Sequence, residues 1–239
     1  MIKLVNVHKK FGGQKVLDGV TLDIPKGKIT VVIGASGVGK SVLLKHMIGL
    51  LKPDSGKVFV DGIDLSNLSP VQLVNIRKKF GMLFQGAALL DSLNVFDNVA
   101  FPLVEHKKLS PSEIKRIVHE KLELVGLKNI DHKMPSELSG GMRKRVGLAR
   151  AIILQPETML YDEPTTGLDP IMTDSVDNLI LDMQQKLKIT SVVISHDIAS
   201  AFTVADQIAM LHEGKIVEAG PPQRLKESRD PFVRKFIGV

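Results

Sequence analysis

The chain has 239 residues, 44% of them hydrophobic and 24% charged, enough to bury a sizeable core in one large domain or in a core with an inserted subdomain. With no cysteine, disulfides, thiolate metal sites and thiol nucleophiles are excluded. An excess of 32 Lys and Arg over 26 Asp and Glu gives +6, leaving nucleic acid, anionic lipid or a phosphate ligand open, while 4% aromatics supply little for stacking on single strands.

The N-terminal "MIKLVNVHKKFGG" alternates apolar and polar residues and then turns, which predicts a strand and not the apolar run of a signal peptide. "KVLDGVTLDI" predicts a second strand after the Gly12-Gly13 turn, and "ITVVI" a strand buried on both faces of a parallel sheet. "VLLKHMIGLL" has helical spacing. Ser69 to Gln72 and Ser110 to Glu113 each combine a hydroxyl cap, a proline in the first turn and a reciprocal acceptor, so each predicts a helix start. The second helix shows the stripe Ile114, Ile117, Val118, Leu122 and Val125, with Gly126 placed to cap it.

Residues 86 to 155 read as mainly helical. Strands return at 158–162, 190–195 and 207–211, the last paired with "KIVEA" across Glu213-Gly214. This order predicts an α/β fold with antiparallel strands at the N-terminus and a mixed sheet core formed by about 1–85 and 156–220. A helical subdomain of about 86–155 is inserted, and a tail of about 221–239 follows. The apolar runs fall far short of the roughly 20 residues needed to cross a bilayer, so the chain is expected to be soluble on its own.

"GASGVGKS", residues 34 to 41, satisfies the phosphate-loop pattern G-x-x-x-x-G-K-[ST] between a predicted strand and a predicted helix. Backbone amides of Gly34, Ala35, Ser36, Gly37, Val38 and Gly39 can turn toward phosphate oxygens, and the helix start adds about half a positive charge. Lys40 is expected to reach the β- and γ-phosphates and Ser41 to ligate Mg²⁺. At the end of "TMLYDE", Asp162 is expected to hold Mg²⁺ through water and Glu163 to accept a proton from, or orient, the attacking water.

His196, ending "VVISH", can hydrogen-bond a γ-phosphate, although a lone strand-end histidine is more often structural. Gln85 can ligate Mg²⁺ or water through its amide. Phe11 can stack on a base or serve as a strand-edge core residue. A second Ser-Gly-Gly turn, Ser139 to Gly141, precedes a basic amphipathic helix and is another ready anion site.

Together these residues resemble the nucleotide-binding subunit of ATP-binding cassette (ABC) transporters, over nearly the whole chain and in the expected order. Phe11 matches the adenine-stacking aromatic, "GASGVGKS" the Walker A motif, Gln85 the Q-loop, "LSGGM" the signature, "TMLYDE" Walker B, "TGLD" to Asp169 the D-loop and His196 the switch histidine. The resemblance implies ATP and Mg²⁺ as ligands and a second copy of the chain as partner, with Ser139, Gly140 and Gly141 contacting the partner's ATP. Asp169 would communicate across that dimer.

Met142 stands where many such subunits have glutamine, and a thioether cannot replace its donor. With "FQGAALLDSLNVFDNVAFPL" it looks most like the ATPases of Mla-type lipid transporters (maintenance of lipid asymmetry). That likeness implies a separate integral membrane permease, a small STAS-domain protein and an MCE-type substrate-binding protein as partners. It also implies a peripheral place at the cytoplasmic face of the inner membrane and phospholipid or a related hydrophobic solute as cargo. Among Leu89, Leu90, Leu93, Val95, Phe96, Val99 and Phe101, most are expected in the core and the remainder in a groove for the permease. The alternatives are an ABC ATPase for another solute, or one acting on nucleic acid or the ribosome. The latter is disfavoured because neither a second cassette nor a long coiled-coil insertion is present, so no nucleic acid is expected.

Overall fold

The computed structural model describes residues 1–238. The alternation of apolar residues decides its layering. In β3 (Ile29–Ile33), β7 (Thr158–Asp162), β8 (Thr190–Ser195) and β9 (Gln207–His212), nearly every residue is buried, because both faces are covered. Odd and even positions part company: Val32, Leu160, Val192, Ile194, Ala209 and Leu211 join one core, while Val31, Tyr161, Val193, Ile208 and Met210 join the other.

The first core is closed by the antiparallel strands β1 (Ile2–Phe11), β2 (Gln14–Ile24), β4 (Ser55–Val60) and β5 (Ile63–Asp64), with α1 (Lys40–Met47) between the sheets. Their order is β2-β1-β4-β5. The second core is closed by α3 (Val95–His106), α4 (Pro111–Leu124), α5 (Gly140–Ile152) and α6 (Pro170–Leu187).

The second sheet runs β10-β9-β3-β8-β7-β6, with β6 spanning Phe80–Leu83 and β10 spanning Lys215–Gly220. All its pairings are parallel except β9 with β10, which the turn at Glu213-Gly214 folds back as a hairpin. Its central strands end in register, Ile33 beside Ser195 and Asp162 beside Ile194. Their C-terminal ends therefore deliver the loops after β3, β7 and β8 to one edge, where ligands collect in open α/β sheets.

Both predicted capping boxes form, at α4 and at α2 (Pro70–Arg77). At the other end of α4, Gly126 donates to the Glu123 carbonyl and Leu127 to that of Leu122, satisfying the last turn as anticipated. The stripe on α4 is buried through Val118, Leu122 and Val125, with Ile114 and Ile117 packed at its margin. By contrast, α1 stops at Met47, earlier than its apolar pattern suggested, because the Gly49 and Leu50 amides turn back onto the His46 and Lys45 carbonyls.

The tail folds into α8 (Pro222–Lys226) and α9 (Pro231–Ile237) after α7 (Ile198–Val204) and the β9–β10 hairpin. Leu225 and Val233 are buried, and the Phe232 ring stacks on His212 with centroids 3.5 Å apart. Val239, the last residue of the tail, lies outside the described residues. Among the described residues, no helix is long and apolar enough to cross a membrane.

Candidate active site

The loop between β3 and α1 wraps the start of the helix. Gly39 occupies the N-cap position at φ 103°, and a Cβ there would meet Val16 at 2.9 Å. Gly34 is equally constrained, since a side chain would run into the Leu211 carbonyl. No side chain caps α1, so its first amides remain available to an anion. The helices at the other two motifs differ: Asp169 accepts from the Met172 amide at 2.9 Å, and Ser139 Oγ accepts from the Met142 amide at 3.3 Å.

Lys40 lies only 5% exposed beneath the loop. Its Nζ donates to the Gly34 and Ala35 carbonyls at 2.9 and 3.1 Å and sits 3.3 Å from Glu163 Oε1. Asp162, an even position at the end of β7, faces the α1 side and accepts a hydrogen bond from Ser41 Oγ at 3.0 Å. The next residue leaves the strand pattern: Glu163 has φ 53°, its amide donates to the Ile194 carbonyl at 2.9 Å, and its side chain turns into the cleft.

Thr166 Oγ1 and His196 Nδ1 both reach Glu163 Oε2, at 2.7 and 2.5 Å. A carboxylate can only accept, so the imidazole proton of this contact sits on Nδ1. Burial alone would raise the Glu163 carboxyl. Hydrogen bonds from Thr166 and His196 and the charge of Lys40 outweigh that effect and hold it below the ordinary value of 4.5.

The cleft is lined by Val16, Ser36, Gly37, Gly39, Lys40, Ser41, Val42, Gln85, Glu163, Thr166 and His196. Thus the phosphate loop, Gln85, Glu163 and His196 are brought together, with Asp162 directly behind Ser41. Phe11 is not among the lining residues: it lies 46% exposed at the end of β1, with Lys9 Nζ 5.5 Å from its ring centroid. Ser139, Gly140 and Gly141 also lie outside this lining, exposed at Ser139 and Gly140.

Sequence reasoning did not single out Thr166 or Val16. The repeated hydroxyls in "EPTTG" were a signal for the first, whereas Val16, on the antiparallel sheet, meets Gly39 of the loop only once the two sheets are folded together.

The ligand atoms expected for a cation are all oxygen: the Ser41 hydroxyl and the Asp162 carboxylate, which are hydrogen-bonded to each other, and the Gln85 amide oxygen at the cleft lining. That set suits a hard cation such as Mg²⁺, which takes few protein ligands and keeps phosphate and water around it. Among the described residues, no group of three or more His, Asp or Glu could hold a metal ion by itself.

An uncapped phosphate loop facing an ionised carboxylate across the edge of a parallel sheet defines a nucleotide hydrolase of the P-loop class. A model of the ABC transporter family matches residues 17–166, and the chain belongs to that family. It is therefore a nucleotide-binding, ATP-hydrolysing cassette.

Over 236 residues, 99% of the chain, it is 47% identical to the "probable ribonucleotide transport ATP-binding protein mkl" of Mycobacterium leprae, and it spans 68% of that protein's length. It is 42% identical to the "intermembrane phospholipid transport system ATP-binding protein MlaF" of Haemophilus influenzae, covering 99% of this chain and 90% of that one. Among solved structures it resembles the dimeric ATP-binding cassette MJ0796 in a post-hydrolysis state bound to ADP and Pi. The TM-score is 0.83 at 32% identity, covering 92% of this chain and 98% of that one.

Proposed function

We propose that this chain powers transport of phospholipid or a related hydrophobic solute between bacterial membranes. In this reading it works as a pair of identical cassettes beneath a separate permease, at the cytoplasmic face of the inner membrane. The observation that carries the catalytic part is the convergence of Lys40, Glu163, Thr166 and His196 in one cleft that lacks the chain's own Ser139-Gly-Gly turn. A γ-phosphate held by Lys40 would be contacted on its far side by Ser139, Gly140 and Gly141 of a second copy. The Ser139 oxygen accepts the cap bond, which leaves its hydroxyl proton free to donate. The dimeric form of the MJ0796 cassette supports this pairing. Asp169, at the entry to α6, would transmit the pairing between sites.

In the resting cleft Lys40 is occupied by two carbonyls and by Glu163. Phosphate oxygens would draw its ammonium away, together with the amides of residues 34–39. Losing that charge would raise the proton affinity of Glu163 as the substrate arrives. The carboxylate then takes a proton from water as its oxygen bonds to the γ-phosphorus and the bond to the β-phosphate oxygen breaks, leaving ADP and phosphate. His196 holds the carboxylate through Nδ1 and, with Nε2 also protonated, would donate to the γ-oxygens once phosphate is present. Ser41, Asp162 and Gln85 would hold Mg²⁺, which supplies charge neutralisation between the β- and γ-phosphates when bound. Phe11, 46% exposed, would receive the adenine ring.

Because a complete γ-phosphate touches both copies, ATP favours the closed dimer by its differential affinity, and hydrolysis removes that bridge. The segment after Gln85 supports a membrane partner. Val95 and Val99 are fully buried, and Leu89, Leu93 and Phe96 are partly covered, whereas Leu90 and Phe101 are 40% and 44% exposed. Phe84 and Val104 are exposed as well, at 42% and 60%. A STAS-domain protein and an MCE-type substrate-binding protein complete the expected assembly, by likeness to Mla-type systems.

Likeness to MlaF favours phospholipid as cargo, and likeness to mkl favours a second reading, ribonucleotide. Purification with the membrane subunit that co-isolates, followed by ATPase assays with phospholipid vesicles or ribonucleoside, separates them. Stimulation by phospholipid alone is expected. Stimulation by ribonucleoside alone, or no membrane partner at all, would overturn the lipid reading.

A further inference from the structure

We propose that Lys144 is a positioning residue that fastens the signature helix to the backbone next to Glu163, so that the two half-sites of one chain move as one body. The inference rests on the reading of the cleft given above. Lys144 projects from the second turn of α5 and is only 7% exposed. Its ammonium donates to the carbonyl of Pro164, the residue after Glu163, and this is its one hydrogen bond among the described residues.

Two other contacts run alongside. The end of the Met172 side chain fills the space that a side chain at Gly141 would take. Arg145 donates from Nη2 to Ser175 Oγ at 2.8 Å and from Nη1 to the Val125 carbonyl at 2.7 Å, joining α5 to α6 and to the end of α4. The helix that presents Ser139, Gly140 and Gly141 to a neighbour's nucleotide is thereby tied to both ends of the loop from Glu163 to Asp169.

Stability gives little reason for a lysine here. A buried ammonium keeps a desolvation penalty that one neutral carbonyl offsets poorly, and the burial pushes its pKa down. An apolar chain of the same length would fill the space. What the ammonium supplies is a directional bond at Pro164. Because Glu163 stands at φ 53° and its amide is held by Ile194, a shift at Pro164 would move its carboxylate relative to the phosphate loop.

The test uses the full chain with its co-isolating membrane subunit and compares Lys144→Met, Lys144→Arg and Lys144→Gln with wild type. For Lys144→Met, kcat is expected to fall about 10- to 100-fold while KM for ATP changes less than about twofold, the signature of misplacement in the transition state alone. Its thermal midpoint should stay near wild type. Lys144→Arg, which keeps a charged donor, should recover most of the turnover. If the methionine variant fails to fold, Lys144→Gln retains a donor of shorter reach and should show the same split between kcat and KM.

An unchanged kcat in a folded Lys144→Met or Lys144→Gln overturns the proposal, as does a loss of kcat matched by a rise in KM that arginine does not rescue. Those results would leave the cleft's assignment standing. A wild-type chain that binds no ATP would overturn both.

Discussion

Glu163 is held by three partners, Lys40, Thr166 and His196. General-base help is typically worth about 10² to 10⁴ in rate, so Glu163→Gln is expected to lower ATP turnover by that order while ATP binding persists. Single-turnover hydrolysis beside equilibrium nucleotide binding measures the two separately, and normal turnover would remove Glu163 from the role. The same carboxylate leaves a mark on stability. Its folded pKa is depressed below the ordinary 4.5, so its ionised contacts stabilise the fold fully above that value and are lost as pH falls through the lower folded pKa. The stability gap between wild type and Glu163→Gln should therefore be constant near neutrality and narrow in acid, as followed by urea unfolding at several pH values. Lys40→Met should weaken ATP binding by about 10- to 100-fold, the worth of a charged hydrogen bond, in a calorimetric titration.

Among the elements, the ends of α2 and α4 could be read from four residues each, because a capping box is a local device that needs no tertiary partner. Ser110→Ala is expected to destabilise the protein by about 1 kcal/mol in urea unfolding. Helix α3 was less visible. Pro102 interrupts its pattern, and its start at Asn94 is fixed by a side-chain cap that follows a largely apolar loop. Asn98, wholly buried, accepts from the Leu90 amide and donates to the carbonyls of Leu90, Leu93 and Asn94 at 2.8 to 3.0 Å, holding the loop that follows Gln85. Asn98→Leu should destabilise by about 1–3 kcal/mol, since those backbone groups would lose their partner. It should also lower exchange protection across residues 86–94. A polar residue inside an apolar helical stripe has no such meaning until the loop is seen folded against it.

For the whole molecule, the separation of the Ser139-Gly-Gly turn from the Lys40 cleft has a consequence in solution. Glu163→Gln with ATP is expected to shift from one copy to two on size exclusion with light scattering, and to return with ADP. A chain that stays single with ATP at saturating concentration would remove the head-to-tail pairing.

By itself the sequence determined the class of chemistry. "GASGVGKS" follows an apolar strand with a phosphate loop and a helix start, and "TMLYDE" and "VVISH" each close such a strand with titratable side chains. Contiguous motifs survive in one dimension because their geometry is made within a few residues. Only the tertiary structure decided that Ser41 bonds Asp162, that Thr166 joins His196 on Glu163, and that Lys144 reaches Pro164. Those contacts join residues that parallel strand pairing and helix packing bring together, and no local spacing encodes the register of strands so far apart in the chain.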